Sequence, residues 1–329
     1  MSPRPRPNPA CPDCQTPELN RRQFVTTMAG AALSAGIAGS LAPRALAAPK
    51  KDSPAEQGVK RLYDSLSETQ RAEICLKWDD PRRTRISANW HITKAEVASL
   101  TPDQRATVTE ILKGVTSPEG YERFLKQMED DHGGIDKYSV AIAGTPGEGK
   151  SCFLLTGRHL TLRADGDTTE NSAFGGPMIY GHGKEGKPSD NLFFYQTKRA
   201  NEVFAALDEK QRKVALLART PNESAVEIKG ASPKAPTPGI GLAELSSDQR
   251  ELVKKVLADI LSPYRKDDAD EVLSLVEAGG WDKVHMSFYS PGDLEEDGVW
   301  DVWRIEGPTM VSHFRGSPHV HAYLNVAKV

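Results

Sequence analysis

Apolar residues follow two different spacings along the chain, and the same change of spacing occurs twice. In residues 108–118 and 253–263 they recur every three or four positions, which predicts amphipathic helices. A further helical stretch follows each, over residues 120–131 and 267–278, and ends at a Gly-Gly pair. Strand-like runs come next: residues 138–143 and 152–163 in the first case, 284–289 and 299–311 in the second. Helices followed by an antiparallel sheet, twice over, predict an α+β fold.

Four short stretches share a pattern that starts a helix. Each has Ser, Thr or Asp three residues before Gln, which is the capping box. The four pairs are Ser67/Gln70, Thr101/Gln104, Asp208/Gln211 and Ser246/Gln249. The first and third lie 141 residues apart and the second and fourth 145, which predicts a duplication. We therefore expect two related halves, 58–206 and 207–329, in one compact unit whose two sheets face each other about a pseudo-twofold axis. Chance recurrence of capping boxes does not account for the matched order downstream.

The first 47 residues have the features of a twin-arginine export signal. Arg21-Arg22 precedes a weakly hydrophobic Ala/Gly-rich stretch, and Ala45-Leu46-Ala47 is an A-x-A cleavage site. The apolar stretch is too short for a convincing transmembrane helix. Because there is no cysteine near the cleavage site, a lipid anchor is not expected. We expect export through the twin-arginine machinery to the periplasm, without a membrane anchor after cleavage. Residues 48–57, rich in Lys, Pro and Ser, are predicted to be a disordered leader.

Removal of the signal changes the charge and the cysteine content of the mature chain. The signal carries five basic and two acidic residues, so the formal net charge moves from −3 to −6. That acidity argues against nucleic acids or anionic membranes as partners. Two cysteines, Cys75 and Cys152, remain. In an oxidising compartment they either form a disulfide or persist as buried thiols.

The stretch Gly144-Thr-Pro-Gly-Glu-Gly-Lys-Ser151 matches the phosphate-binding P-loop pattern. A working P-loop requires a helix directly after Lys-Ser, because the helix N-terminal amides bind the phosphates. Here β-type residues follow, beginning with Cys152. The stretch is therefore predicted to be a turn between strands, and no nucleotide cofactor is expected.

Histidines near the C-terminus provide the strongest indication of chemistry. His319 and His321 lie two residues apart on a predicted strand, so both point to the same face. His313 lies across a Gly-Ser-Pro corner, and His159 is on a strand-like run of the first half. We predict that His159, His313, His319 and His321 are ligands of one transition metal, Zn²⁺, Cu²⁺ or Fe²⁺. The alternative is that these histidines only pack or hydrogen-bond. His182, on a Gly-flanked loop, is a weaker candidate.

The segment from Trp78 to His91 is unusually rich in functional side chains for a connection between helices. Arg85 is a candidate for holding a substrate carboxylate, and His91 for a metal ligand or an acid/base group. Arg158, next to His159, would suit an anionic or carbonyl substrate. Equally, the tryptophans at 78 and 90 would anchor the core while the Asp and Arg residues between them form salt bridges.

With these residues, the chain resembles a bacterial and fungal family known as domain of unknown function 3500. The shared features are the segment from Trp78 to His91, the Gly144-Thr-Pro turn, Gly157-Arg-His-Leu160 and His319-Val-His321. This chain has Arg158 where the family pattern often has His, and lacks the usual acidic ending. The resemblance implies export and repeated histidine motifs, and it implies no particular reaction.

Two functions from different classes follow as expectations. The first is an exported metal-dependent oxidoreductase or hydrolase with a small anionic or carbonyl substrate. The second is a non-catalytic extracytoplasmic protein that binds a small ligand through the same histidines. Metal stoichiometry and the effect of changing one histidine distinguish them.

Overall fold

The computed structural model describes residues 50, 52–169, 171–184, 188–233, 235–293 and 298–328. The predicted export signal, residues 1–47, lies outside them. Their helices are α1 Pro54–Ser65, α2 Glu68–Ile74, α3 Pro102–Val115, α4 Pro118–His132, α5 Phe194–Ala206, α6 Glu209–Ala215, α7 Ser247–Leu261 and α8 Lys266–Gly279. Their strands are β1 Cys75–Leu76, β2 Ser139–Gly144, β3 Ser151–Gly157, β4 Leu160–Ala164, β5 Met178–His182, β6 Leu216–Leu217, β7 Ile240–Gly241, β8 His285–Tyr289, β9 Val302–Glu306, β10 Met310–Arg315 and β11 Val320–Val326. Within the described part of the chain, no helix is both long and apolar enough to span a bilayer.

The helix starts follow the predicted capping boxes. At all four sites the Ser, Thr or Asp side chain accepts a hydrogen bond from the backbone N–H of the Gln. The Gln side chain in turn accepts one from the backbone N–H of the capping residue. The capping glutamines also meet in pairs: Gln70 bonds to Gln104, and Gln211 to Gln249. α1 begins at Pro54, after Ser53 as N-cap, so residues 54–57 of the predicted leader form its first turn. Burial of Ala55 and Val59 in the core explains why this part of the predicted leader is helical.

The strands form one mixed sheet, which confirms the α+β class. Its order is β1-β2-β3-β4-β5-β11-β10-β9-β8-β6, with β7 beside β8. The strands of the two predicted halves join through the antiparallel pair β5–β11, so they lie side by side in a single sheet. The sheet order reads similarly from both ends, since β1 runs parallel to β2 and β6 runs parallel to β8.

The two faces of the sheet have different coverings. On one face Phe153 and Leu155 belong to the main core, which also includes residues of the helices. On the opposite face Cys152 and Leu154 pack with Trp90. Near the sheet centre, that second face is covered by irregular segments around residues 86–88 and 226–228. Functional side chains on the second face therefore lie under loops, which can differ in sequence without disturbing the helical core.

Cys75 and Cys152, the two cysteines among the described residues, are free. Cys75 pairs with Ile142 of β2, whereas Cys152 pairs with Ala143 on the other side of that strand. Two strand spacings separate them by about 9–10 Å, beyond the roughly 7 Å between Cα atoms that a disulfide bridges. Their pairing partners are adjacent along β2, so the two thiols also point to opposite faces. Both cysteines are therefore free thiols, of which Cys152 is buried and Cys75 half-buried.

The P-loop-like stretch is the turn that joins β2 to β3. β3 begins at Ser151, and Gly144 pairs with Ser151 across the hairpin. Gly144 has φ +76°, and a Cβ there would lie 2.0 Å from the Lys150 carbonyl oxygen. These glycines therefore serve a tight turn, and no helix N-terminus follows the lysine.

A buried carboxyl on α8 gives a stability prediction. Burial, together with the charges of Asp165 and Asp167, raises the pKa of Glu271 to about 8. The folded protein therefore retains a proton that the unfolded chain releases between about pH 4.5 and 8, and stability falls as pH rises through that window. We expect Glu271→Gln to stabilise the protein by about 1–2 kcal/mol at pH 8, a value reduced for partial solvent access, and to have little effect at pH 4. Thermal unfolding at both pH values measures this.

Glu277→Gln is the control, because Glu277 lies on the same helix and is exposed. It should leave the melting temperature nearly unchanged at both pH values. Equal shifts for the two variants, or a Glu271→Gln gain that does not grow with pH, would contradict the buried-proton explanation.

Candidate metal centre

Three histidines meet on the loop-covered face of the sheet. His159, His319 and His321 each offer a ring nitrogen, and these nitrogens lie within 4.8 Å of one another. The ring centroids are 4.7–5.1 Å apart, so the rings form a nearly equilateral triangle. The Nε2 atoms of His319 and His321 are 3.0 Å apart. We call these three residues the histidine triad.

A two-residue turn carries His159 into the triad. Gly157 pairs with Leu160, so Arg158 and His159 form the corner between β3 and β4. His159 has φ +56°, a left-handed conformation that is uncommon outside glycine. Its backbone N–H donates to the Ala88 carbonyl at 2.6 Å, which holds the turn under the covering loop. The ring is buried as a result.

Two glycines make the space that His159 occupies. A Cβ on Gly181 would lie 3.2 Å from the His159 Cβ, and one on Gly183 would lie 2.7 Å from its ring. Gly181 pairs directly with His321 across β5 and β11, so the ring of His159 sits over this part of the sheet. The Gly-His-Gly stretch, predicted as a loop, lies at the end of β5 and contributes to the triad through its glycines.

The other two members come from the start of β11. Val320 points into the helical core, and alternation sends His319 and His321 to the opposite face. His321 pairs with Arg315 of β10 and is buried, whereas His319, just before the strand, is half-buried. The open side of the triad is therefore the side next to His319.

Each buried histidine of the triad is hydrogen-bonded to a carboxylate. His159 Nδ1 lies 2.8 Å from Asp131 Oδ2, and His321 Nδ1 lies 2.7 Å from Glu223 Oε1. An ionised carboxylate only accepts, so both Nδ1 atoms carry a proton and both Nε2 atoms have a free lone pair. Carboxylate–histidine pairs of this kind orient metal ligands and raise their basicity.

Sequence reasoning did not identify these two carboxylates. Asp131 lies in the last turn of α4, one turn after the buried Gln127. It also accepts hydrogen bonds from Gln127 Nε2 and the Gly183 N–H. Glu223 lies in the irregular connection after β6, where no periodicity marks it. It also accepts from the Tyr323 hydroxyl at 3.3 Å. The adjacent acids at 130 and 131 near a helix end were the one available signal.

The electrostatic environment keeps the triad neutral. Burial lowers the pKa of His159 even though Asp131 opposes the shift. Burial, then the charges of His321 and Arg315, lower the pKa of His319 to about 2. Burial and the Arg315 charge hold the pKa of His321 well below its usual value. All three imidazoles are therefore neutral near pH 7, with one ring nitrogen free of a proton, which is the form that binds metals.

Two arginines lie beside the triad. Arg315 Nη2 is 3.2 Å from His319 Nε2, and its Nη1 is 3.5 Å from Glu223 Oε2. Arg158 is half-buried at the corner beside His159, and its charge contributes to lowering the pKa of each histidine of the triad. The surroundings of the open side are therefore cationic.

Comparison with known proteins places the chain in a family. Residues 50–325 match the family described as protein of unknown function (DUF3500). The chain belongs to this family, as the shared motifs suggested. No curated protein and no solved structure matches it. The family description names no activity, so the function has to be argued from the site itself.

The remaining predicted site residues of this DUF3500 protein lie outside the triad. His313 is buried beside Arg304, whose Nε is 3.3 Å from His313 Nδ1. It pairs with Tyr323, two positions along β11 from His321. His91 is exposed, with its ring 6.3 Å from that of His132.

Two further candidates have structural partners. The Arg85 guanidinium lies 5.3 Å from the centroid of the buried Trp90 ring. His182 accepts from the Leu192 N–H at Nδ1 and donates from Nε2 to Asp130. Both ring nitrogens of His182 are therefore occupied. Trp90 is a core anchor, as one of the two interpretations of the 78–91 segment required.

Proposed function

We propose that this is an exported metal-dependent enzyme whose single transition metal is bound by His159, His319 and His321. The convergence of three unprotonated ring nitrogens, two of them oriented by buried carboxylates, carries this proposal. Among the described residues, His159 Nε2 is buried without a hydrogen-bond partner. Leaving such a group unsatisfied costs about 1–3 kcal/mol, and a bound cation would remove that cost.

The spacing of the nitrogens also fits a metal. Two imidazole nitrogens on a tetrahedral ion, each about 2.0–2.1 Å from it, lie roughly 3.3 Å apart. The His319 and His321 Nε2 atoms are 3.0 Å apart. The three ring nitrogens lie within 4.8 Å of one another, so the rings would have to close in slightly to bind one ion. His319 is only half-buried and is therefore the ring least constrained by packing.

Three protein ligands leave a fourth position open, which is typical of catalytic rather than structural sites. A metal there would polarise a carbonyl or activate a bound water or oxygen species. The cationic surroundings favour a small anionic or carbonyl substrate, as an oxidoreductase or hydrolase would use. Three imidazoles accept Zn²⁺, Cu²⁺ or Fe²⁺, and the identity of the metal decides between these reaction classes.

Elemental analysis of the mature protein, purified from its exported compartment, tests the proposal. We expect close to one transition metal per chain. Absence of metal, followed by failure to bind Zn²⁺, Cu²⁺ or Fe²⁺ on reconstitution, would contradict the metal centre. A non-catalytic ligand-binding function would then be the better explanation of the buried histidines.

We also infer that the chain arose by duplication. The matched order of helices and strands, the similar strand order from both ends of the sheet and the paired capping glutamines support this inference. The triad itself does not follow the duplication. The turn between β9 and β10, which corresponds to the β3–β4 corner that carries His159, consists of residues 307–309 and includes no histidine.

A further inference from the structure

The β3–β4 corner beside the triad carries a cationic side chain, that of Arg158. Arg158 Nε is buried and has no hydrogen-bond partner among the described residues. Its backbone carbonyl is held by the Tyr138 hydroxyl at 2.7 Å and by Gln127 Nε2 at 3.1 Å, so the corner that carries the side chain is fixed. A positioned guanidinium with an unused buried donor is suited to an external acceptor.

The neighbouring carboxylates already have other partners. Asp131 accepts from His159, Gln127 and Gly183. Glu223 accepts from His321 and Tyr323 and lies beside Arg315. Two carboxylates thus face two guanidinium groups, and a divalent ion in the triad would leave its own charge uncompensated. The centre therefore favours an anionic ligand at the open side.

We propose that the open coordination position binds the carboxylate of a small-molecule substrate, and that Arg158 holds this carboxylate. This inference rests on the proposed metal centre and names the substrate class for it. A guanidinium presents two parallel N–H donors that match the planar carboxylate, whereas the metal takes one of its oxygens. Arg158 is thus a substrate-binding residue, and the half-buried His319 leaves the approach open.

Cobalt(II) provides a direct readout, because its visible absorption changes when the fourth ligand changes. The full mature chain is loaded with Co²⁺ and titrated with acetate, for the wild type and for Arg158→Gln. We expect one Co²⁺ per chain in both proteins and a dissociation constant for acetate about tenfold higher in the variant. Arg158→Lys, which keeps the charge without the paired donors, should fall between them.

Arg83→Gln is the matched control, because Arg83 is also half-buried and its guanidinium lies 4.1 Å from the centroid of the Trp78 ring. It should bind acetate as tightly as the wild type. Equal acetate affinity in the wild type and Arg158→Gln would overturn the role of Arg158. Tighter binding of inorganic phosphate than of acetate would overturn the carboxylate assignment. Normal Co²⁺ uptake with no spectral response to acetate would overturn this inference alone, whereas failure to take up Co²⁺ would overturn the metal centre as well.

Discussion

Replacing His321 with alanine is expected to lower metal affinity about a thousandfold, the largest effect of any single change at the site. The variant loses one of the three proposed ligands. It also leaves Glu223 without the imidazole that now lies 2.7 Å from its carboxylate oxygen. Metal content after dialysis, and competition with a chelator of known affinity, measure the loss. Circular dichroism and thermal unfolding establish that the variant remains folded.

His182→Ala is the control for this change. His182 is as fully buried as His321, lies on the neighbouring strand and is also hydrogen-bonded to a carboxylate, that of Asp130. It should lose comparable stability and retain its metal. If both variants lose metal to the same extent, the loss reflects damage to the fold and not the removal of a ligand. Full metal retention by His321→Ala would rule His321 out as a ligand.

The sequence predicted the local structure better than the long-range contacts. Capping boxes depend on residues three apart, so all four could be identified from the chain alone. The shared face of His319 and His321 likewise follows from strand alternation. The order of the strands could not be predicted in this way. The two sets of strands join through β5 and β11, whose paired residues lie about 140 positions apart in the chain.

Strand register explains why the predicted ligand His313 lies outside the triad. The pattern placed His313 on a strand next to the one that carries His321, which is where it lies. The actual register pairs Arg315 with His321 and leaves His313 opposite Tyr323. A shift of two residues moves a side chain by about 6–7 Å along the strand, enough to remove it from a metal shell. Neither spacing nor composition fixes that register.

The second large prediction concerns Glu223, which the sequence did not reveal. Glu223→Gln should weaken metal binding about 10- to 100-fold while leaving the fold intact. The amide oxygen still accepts from His321 Nδ1, so the ring keeps its orientation. The loss of negative charge should lower the basicity of His321 Nε2, the atom that would bind the metal. Chelator competition at fixed pH gives the ratio of affinities.

Glu306→Gln separates this electrostatic effect from the general cost of changing a buried acid. Glu306 is buried to a similar degree and is ion-paired with Lys229, but it has no contact with the triad. It should change stability without changing metal affinity. The two variants together distinguish a carboxylate that acts through His321 from one that only stabilises the sheet. If Glu223→Gln binds metal as tightly as the wild type, the charge of Glu223 has no effect on the metal affinity of His321. Glu223 would then act only as a structural anchor for the covering loop.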